Sequence, residues 1–578
     1  MGAGFRASER GIQYPSLMVK GISPVLKQLL IAVLVFSSLS LTPWWTVDAL
    51  NLPKFVVIIS IGFTIFLLAI TNVHTLDYRK YKNLLIVLAL FDSWLVIVLF
   101  FSGSGISEQF FGAPGRNTGF LTYFALSFLL FAAAVVSDPL ITESFIRVLI
   151  FIGLISCAYG LLQIYGKDPI SWSNVHSPVV GFVGNPDFQS SLLGLIAILA
   201  LSSAISPGIT IGLRIMLLIF VLASLFEIYK TNAIQGFLVF AFGLLTYCHI
   251  LFYEKYGRRI GISSFLLTVP FVTLAFLGML NKGPLSSLLY KPSITYRGDY
   301  WRAGWEMTRS HPLFGVGLDG YGDWYRRSRT IEATIRRGPE IVSTSAHNVV
   351  LDLLSGGGFL LGFLYVVIII FTLLSAFRII GRSRALDPHI AIIFSAWIGY
   401  QSQSMVSINQ LSLATIGWTL SGLIIGYEIN TRPPKALVPK KNNLSFKNNR
   451  VLDVKLSKTR IIVLTCVGLC VGSLIALPPF YNSVKFKQSI QNGNVKELTE
   501  SALATPLDLR RMTSVALNFR DNHLDELSLN IMRRAITEFP DSFDAWKVYS
   551  EIIGISNSQK AQAVAEMKRL DPHNPDLK

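Results

Sequence analysis

One histidine, His347, stands where a long charged stretch runs into a long apolar one, and an imidazole there can take up a proton near neutral pH. The charged stretch, Asn281 to Ser345, carries Arg297, Arg302, Arg309, Arg326, Arg327, Arg329, Arg336 and Arg337 against Asp299, Glu306, Asp319, Asp323, Glu332 and Glu340. Guanidinium groups grip phosphate in a planar, bidentate fork. Arginines beside a base therefore suit proton transfer next to an anionic lipid headgroup. Ser343, Thr344 and Ser345 are good helix caps, which places His347 in the first turn of a helix. The positive end of that helix disfavours imidazolium and leaves a neutral ring. Upstream, Tyr296 to Arg309 sets Arg297, Trp301 and Trp305 on one helical face, as expected at a membrane-water boundary, before a break at His311-Pro312 and a glycine-rich run.

The elements that must hold these residues are membrane helices. An apolar fraction of 52%, a mean hydropathy of +0.51 and only 15% charged residues place most of the 578-residue chain in lipid. The fold class is all-α and polytopic. With roughly 20 apolar residues per span, about thirteen spans begin near Leu26, Pro53, Asn83, Thr118, Ser144, Phe188, Ile209, Asn232, Ile262, Ala346, His389, Leu411 and Thr459. The net charge of +17 does not point to nucleic acid, because the charges sit in short segments between spans, where Lys and Arg set topology. Arg79-Lys80, Lys255 with Arg258-Arg259, Arg378 with Arg382 and Arg384, and the run from Arg432 to Arg460 mark cytoplasmic loops. By that count the 281–345 loop lies outside. Its arginine excess runs against the usual bias, and binding an anion is a direct reason for the exception.

The division is then a cytoplasmic N-terminus (1–25), a transmembrane domain (26–430), a basic cytoplasmic linker (431–458), a last span (459–480) and an outward soluble helical domain (481–578). The spacing of Pro506, Pro540 and Pro575, about 34 residues apart, suggests a tetratricopeptide-like array and hence a docking surface for a protein partner. Gly356-Gly357-Gly358 divides the tenth span into a short segment at the outer boundary and a true crossing. Cys157, Cys248, Cys466 and Cys470 all fall in apolar spans and read as packing residues, not a disulfide or zinc set.

His347-Asn348, then nine intervening residues and Gly358, resembles the signature of the O-antigen ligase and polymerase superfamily. Tyr296-Arg297-Gly-Asp-Tyr-Trp301 before Pro312-Leu-Phe-Gly315-Val-Gly317, Gly184-Asn-Pro186 and Gly115-Arg116-Asn-Thr-Gly119 resemble further segments of it, in matching order. The resemblance covers roughly Leu26 to Tyr427. It implies inverting, metal-independent and cofactor-free transfer of a glycan from undecaprenyl diphosphate onto an acceptor hydroxyl at the outer face of a bacterial inner membrane. The acceptor is a lipid, a growing glycan or a protein. By the same resemblance Arg297 holds the diphosphate and His347 is the base, with Arg302, Arg116, Lys230, Trp301 and Asn348 contacting substrate. Many members carry an arginine before span eight where this chain reads Tyr229-Lys230-Thr, so either Lys230 or Arg116 supplies that cation. The alternative from another class is a transporter of lipid-linked glycans. Such proteins tend to show paired repeats and ionisable residues at mid-membrane; here the unusual residues gather at the outer boundary.

Overall fold

The computed structural model describes residues 22–72, 77–172, 177–290, 292–382, 387–432 and 457–577. Most of the expected N-terminal segment and of the basic linker, and Arg384, lie outside the described residues. All regular secondary structure among the described residues is helical. Among the described residues nine helices are long and apolar enough to cross a membrane, and Ser23–Leu39 and Phe120–Val136 are shorter apolar helices. Each expected span start falls in or just before a helix, and the two that meet neither description are Pro388–Ser404 and Leu411–Asn430. They are walled in by the other helices; Leu411–Asn430 is buried along nearly its whole length. A helix that touches protein on all sides can carry Gln401, Gln403, Thr415 and Thr419 without meeting lipid, so its hydropathy runs low.

The bundle has two chemically distinct ends. At one, Arg382 and Arg432 share Glu428, Tyr81 donates to the Asn430 side chain, and Arg460 reaches the Thr71 carbonyl. At the other lie the turns at 43–48, 111–119, 181–187 and 231–235 and the whole 281–348 segment. The last long helix, Lys458–Asn492, packs against Asn51–Thr71 through Gly468 and Gly472, whose faces press on the Thr64 and Ser60 backbones. Small residues at this spacing let two membrane helices approach closely. Cys466 and Cys470 point away from that seam and are exposed, so they do not pack as the sequence suggested. This helix also runs without a break through the expected boundary at 480 and carries Ser483 and Lys487 to the 43–48 turn, where Ser483 accepts from the Val47 amide at 3.0 Å.

Beyond it, Val495–Ala502, Leu509–Asp521, Asp525–Glu538, Phe543–Ser550 and Asn557–Leu570 pack on one another in chain order around their own apolar core. Sequential helix stacking is what a repeat array needs, and Pro506, Pro540 and Pro575 fall outside or at the start of helices. The surface expected to receive a partner is, in part, already occupied by the chain's own arginine loop. Asp571, fully buried, binds Arg329 at 2.7 Å and Arg326 at 3.2 Å. Asp541 pairs with Arg327 and Arg569, and Lys547 with Glu340. Most of the arginine excess at 326–336 is thus neutralised inside the protein, with Arg336 gripping Asp299 through one nitrogen at 2.6 and 2.7 Å. An external anion is not needed to explain these four.

Candidate active site

His347 lies outside the helix it was expected to start. Val349–Arg382 begins two residues later, and its cap is Asn348, whose Oδ1 accepts from the Leu351 amide at 3.1 Å while its Nδ2 donates to the Met405 carbonyl. Both polar atoms of the Asn348 side chain are thereby bonded within the protein. His347 itself takes a left-handed conformation, φ +52°, which an L-residue adopts at a cost. The segment before it is tied down at every residue that could hold it. Arg116 donates to the Thr344 carbonyl, Asp352 accepts from the Ala346 amide at 2.7 Å, and the Ser343 hydroxyl donates to the Ser345 carbonyl.

The ring of His347 rests on Tyr300, with centroids 4.9 Å apart. Its Nδ1 is 3.1 Å from the Ser345 hydroxyl and 3.3 Å from the Ser345 carbonyl. With the hydrogen on Nδ1 donated to that carbonyl, Nε2 keeps its lone pair for a proton from elsewhere. Burial drives the ring well below the ordinary histidine value, to about 4, and Arg297, Arg116 and Arg337 push the same way. The neutral ring expected from a helix terminus is present, but its main cause is burial followed by three guanidinium groups.

Those three arginines do different work. Arg116 is compensated: it lies 3.2 Å from Asp319 and 3.8 Å from Asp352, both buried, and these carboxylates outweigh the burial that opposes its charge. It is a strut joining three loops, with Asp319 also accepting from the Ala113 amide and the Thr118 hydroxyl. Arg337 donates to the Tyr300 hydroxyl and stacks over Tyr296 at 4.4 Å. Arg297 has a buried Nε with no acceptor, and burial holds its own affinity for a proton down, only partly relieved by the field of Asp187. A buried cation so weakly matched gains most from an arriving anion.

Arg297 comes from Pro292–Ser310, the helix predicted over 296–309, which packs on the His347 segment through Gly304 against Ala346 and is pinned by the Tyr321 hydroxyl on the Tyr300 carbonyl at 2.7 Å. Arg297 and Trp301 line a cavity of about 140 Å³ with Asn232, Gln235 and Asp187. The indole nitrogen of Trp301 is buried there without an acceptor. Trp305, on the same face, instead meets Phe359 edge-on. Arg302 is exposed and turned toward Glu332, and Lys230 is exposed over Phe226, so neither is brought to His347. Tyr300 and Arg337, which do touch the site, escaped sequence reasoning. Arg337 ends a helix of only seven residues, Ile331–Arg337, too short for periodicity to mark a face, and Tyr300 was read only as part of the 296–301 segment.

The break expected at the glycine triplet is at Gly358, φ +75°, where the helix changes direction. The glycine-rich run fills the gap: the Val316 amide donates to the Ser355 carbonyl at 2.8 Å, the Phe359 amide to the Pro312 carbonyl at 2.9 Å, and the Trp94 indole to the Gly357 carbonyl at 2.9 Å. Backbone groups freed by the kink are thus satisfied inside the protein, which is the condition for irregular backbone near lipid. The kink carries the first turns of the helix, with Asp352, under the His347 segment.

Residues 191–366 match the O-antigen ligase family. The match takes in the cavity helices, Arg297, Trp301 and His347, and leaves out Arg116 and the C-terminal helices. No curated protein matches the chain.

Proposed function

We propose, starting from an O-antigen ligase domain over residues 191–366 in a multi-pass membrane protein, that the chain transfers a glycan from a polyprenyl diphosphate, undecaprenyl diphosphate in bacteria, to an acceptor hydroxyl at the outer face of the cytoplasmic membrane. The observation that carries the reading is a neutral, buried imidazole surrounded by guanidinium groups, one of which, Arg297, has no carboxylate ion-paired to it among the described residues. In this reading the chain crosses thirteen times with its basic end in the cytoplasm, which the charged residues at that end of the bundle support.

In this reading the diphosphate lies against Arg297 near Trp301. The acceptor oxygen attacks the anomeric carbon and passes its proton to Nε2 of His347. The bond from that carbon to the diphosphate oxygen breaks, the electron pair leaves with the polyprenyl diphosphate, and the imidazolium returns its proton to solvent. Inversion follows from a single displacement. A base that refuses protons until about pH 4 is weak in the empty site, and the negative diphosphate beside it raises its affinity for a proton when one is needed. Arg297 stabilises the charge that develops on the leaving group.

The test uses purified protein in detergent with an undecaprenyl-diphosphate glycan, comparing wild type with His347→Ala and Arg297→Ala. Loss of turnover by roughly 10²-fold or more in both is expected for removing a base or a charge clamp. Full turnover in His347→Ala would remove the base from the mechanism.

A further inference from the structure

A second and larger cavity, about 670 Å³, opens on the other domain's side of the His347 segment. Its walls come from four places: the 47–52 and 107–117 segments, the 319–344 part of the arginine loop, the outer part of Lys458–Asn492, and the C-terminal segment from Pro506 to Asp544. It shares no lining residue with the Arg297 cavity. Ser343 and Thr344 form part of its wall, and three residues of chain span at most about 11 Å, so it ends within that reach of His347. Its volume lies in the range of small-ligand sites, roughly 300–1,000 Å³.

The lining is acidic and aromatic. Glu108 and Asp323 both line it, and neither has an ion pair among the described residues. Burial and the neighbouring carboxylates push Glu108 well above the usual range, and burial, partly offset by Arg327, brings Asp323 to about 7. Phe111, Phe486 and Phe539 add apolar faces. Two further residues of the wall, Asn117 and Arg511, are more than nine-tenths buried, and each leaves one side-chain atom, Oδ1 and Nε respectively, without a partner. Unmatched buried polar atoms cost stability unless a ligand or water pairs them. Among the described residues no three acidic, histidine or cysteine side chains come close enough to hold a metal ion.

We propose that this cavity binds the acceptor as a neutral or amino-bearing oligosaccharide, its hydroxyls bonded by Glu108 and Asp323, and that it excludes phosphorylated glycans. The assignment rests on the transferase reading above. Carboxyls paired with aromatic faces match the alternating polar edges and apolar faces of sugar rings, whereas a phosphate would meet six carboxyl side chains on the lining against two guanidinium groups, Arg510 and Arg511. The donor and acceptor then approach His347 from separate cavities, and the C-terminal helices contribute one wall of the second.

Equilibrium binding to the full-length protein in detergent tests this with three probes: triacetylchitotriose, its deacetylated triamine, and maltotriose carrying a 6-phosphate. The expected result is binding of the first two, at least tenfold weaker binding of the third, and at least tenfold weakening of the first two in Ser514→Trp, which fills the cavity from an exposed position on its wall. Glu108→Gln with Asp323→Asn keeps the hydrogen-bonding shape and is expected to relax the discrimination against phosphate. His347→Ala is expected to bind all three as wild type does, so loss of turnover in that variant bears on the base alone. Binding of none of the probes, preferential binding of the phosphorylated one, or indifference to Ser514→Trp would each overturn the proposal, even if His347 proves to be the base.

Discussion

Replacing Arg337 by glutamine removes one of the charges that keep His347 unprotonated while leaving a side chain of similar length. The His347 ring and the Arg337 guanidinium lie 4.9 and 5.3 Å from the centre of the Tyr300 ring, and so are no more than about 10 Å apart. At about 10 Å two unit charges couple by roughly 0.4 kcal/mol at a water-like dielectric and roughly 1.7 kcal/mol at an effective value of about 20. At about 1.36 kcal/mol per pH unit this moves the midpoint up by roughly 0.3 to 1.2. From about 4 in the wild type, Arg337→Gln is expected to titrate between roughly 4.3 and 5.2. The assay is NMR of [15N]histidine-labelled protein in detergent, with His347→Gln to assign the signal. The sign extends to stability: between pH 6.5 and about 4 the unfolded chain binds a proton that the folded ring refuses, so the folded state loses stability as pH falls through that window and has it in full above 6.5. A wild-type midpoint near 6.5, or a downward shift in Arg337→Gln, would refute the account of this site.

Two other perturbations read the scaffold. Asp571→Asn removes the charge that holds the buried Arg329 and Arg326, and breaking such a pair costs about 3–5 kcal/mol; the melting temperature should fall and residues 321–340 should become open to protease, whereas an unchanged, resistant protein would show that the two domains are held together elsewhere. Gly358→Ala places a methyl 2.0 Å from the Leu313 carbonyl oxygen in a left-handed conformation, an overpacking worth about 1–3 kcal/mol or more; it should lower transfer activity and melting temperature, while Gly381→Ala, on the same helix with nothing within 4 Å, should not.

Much of the architecture could be read from periodicity. Apolar runs of membrane length located every long helix, and three consecutive glycines marked the kink, because both signals are local. The Arg297 helix was legible for the same reason. What could not be read is what joins distant parts of the chain. Arg116 was expected as a possible phosphate ligand, and only the fold reveals that Asp319 and Asp352, more than 200 residues away, already neutralise it. The arginines at 326, 327 and 329 looked like an anion site until Asp541 and Asp571 were found against them. Composition counts charges but cannot tell which are spent on the protein itself. Arg297 has no such carboxylate among the described residues and lines a cavity beside Trp301, a placement no spacing rule carries.

The Arg329–Asp571 contact also imposes an order of events on synthesis. The two residues are separated by 242 positions. At roughly 5–20 residues per second, about 10–50 s pass between translation of the arginine and of its aspartate. During that interval the bundle around His347 can insert and pack, but the loop above it carries guanidinium groups whose carboxylates do not yet exist. A nascent chain is therefore exposed at this loop to proteases and to stray anions, and the mature chain is not. The distant aspartate times the completion of the site, so that a chain cut short before it would span the membrane yet leave the loop over His347 unassembled.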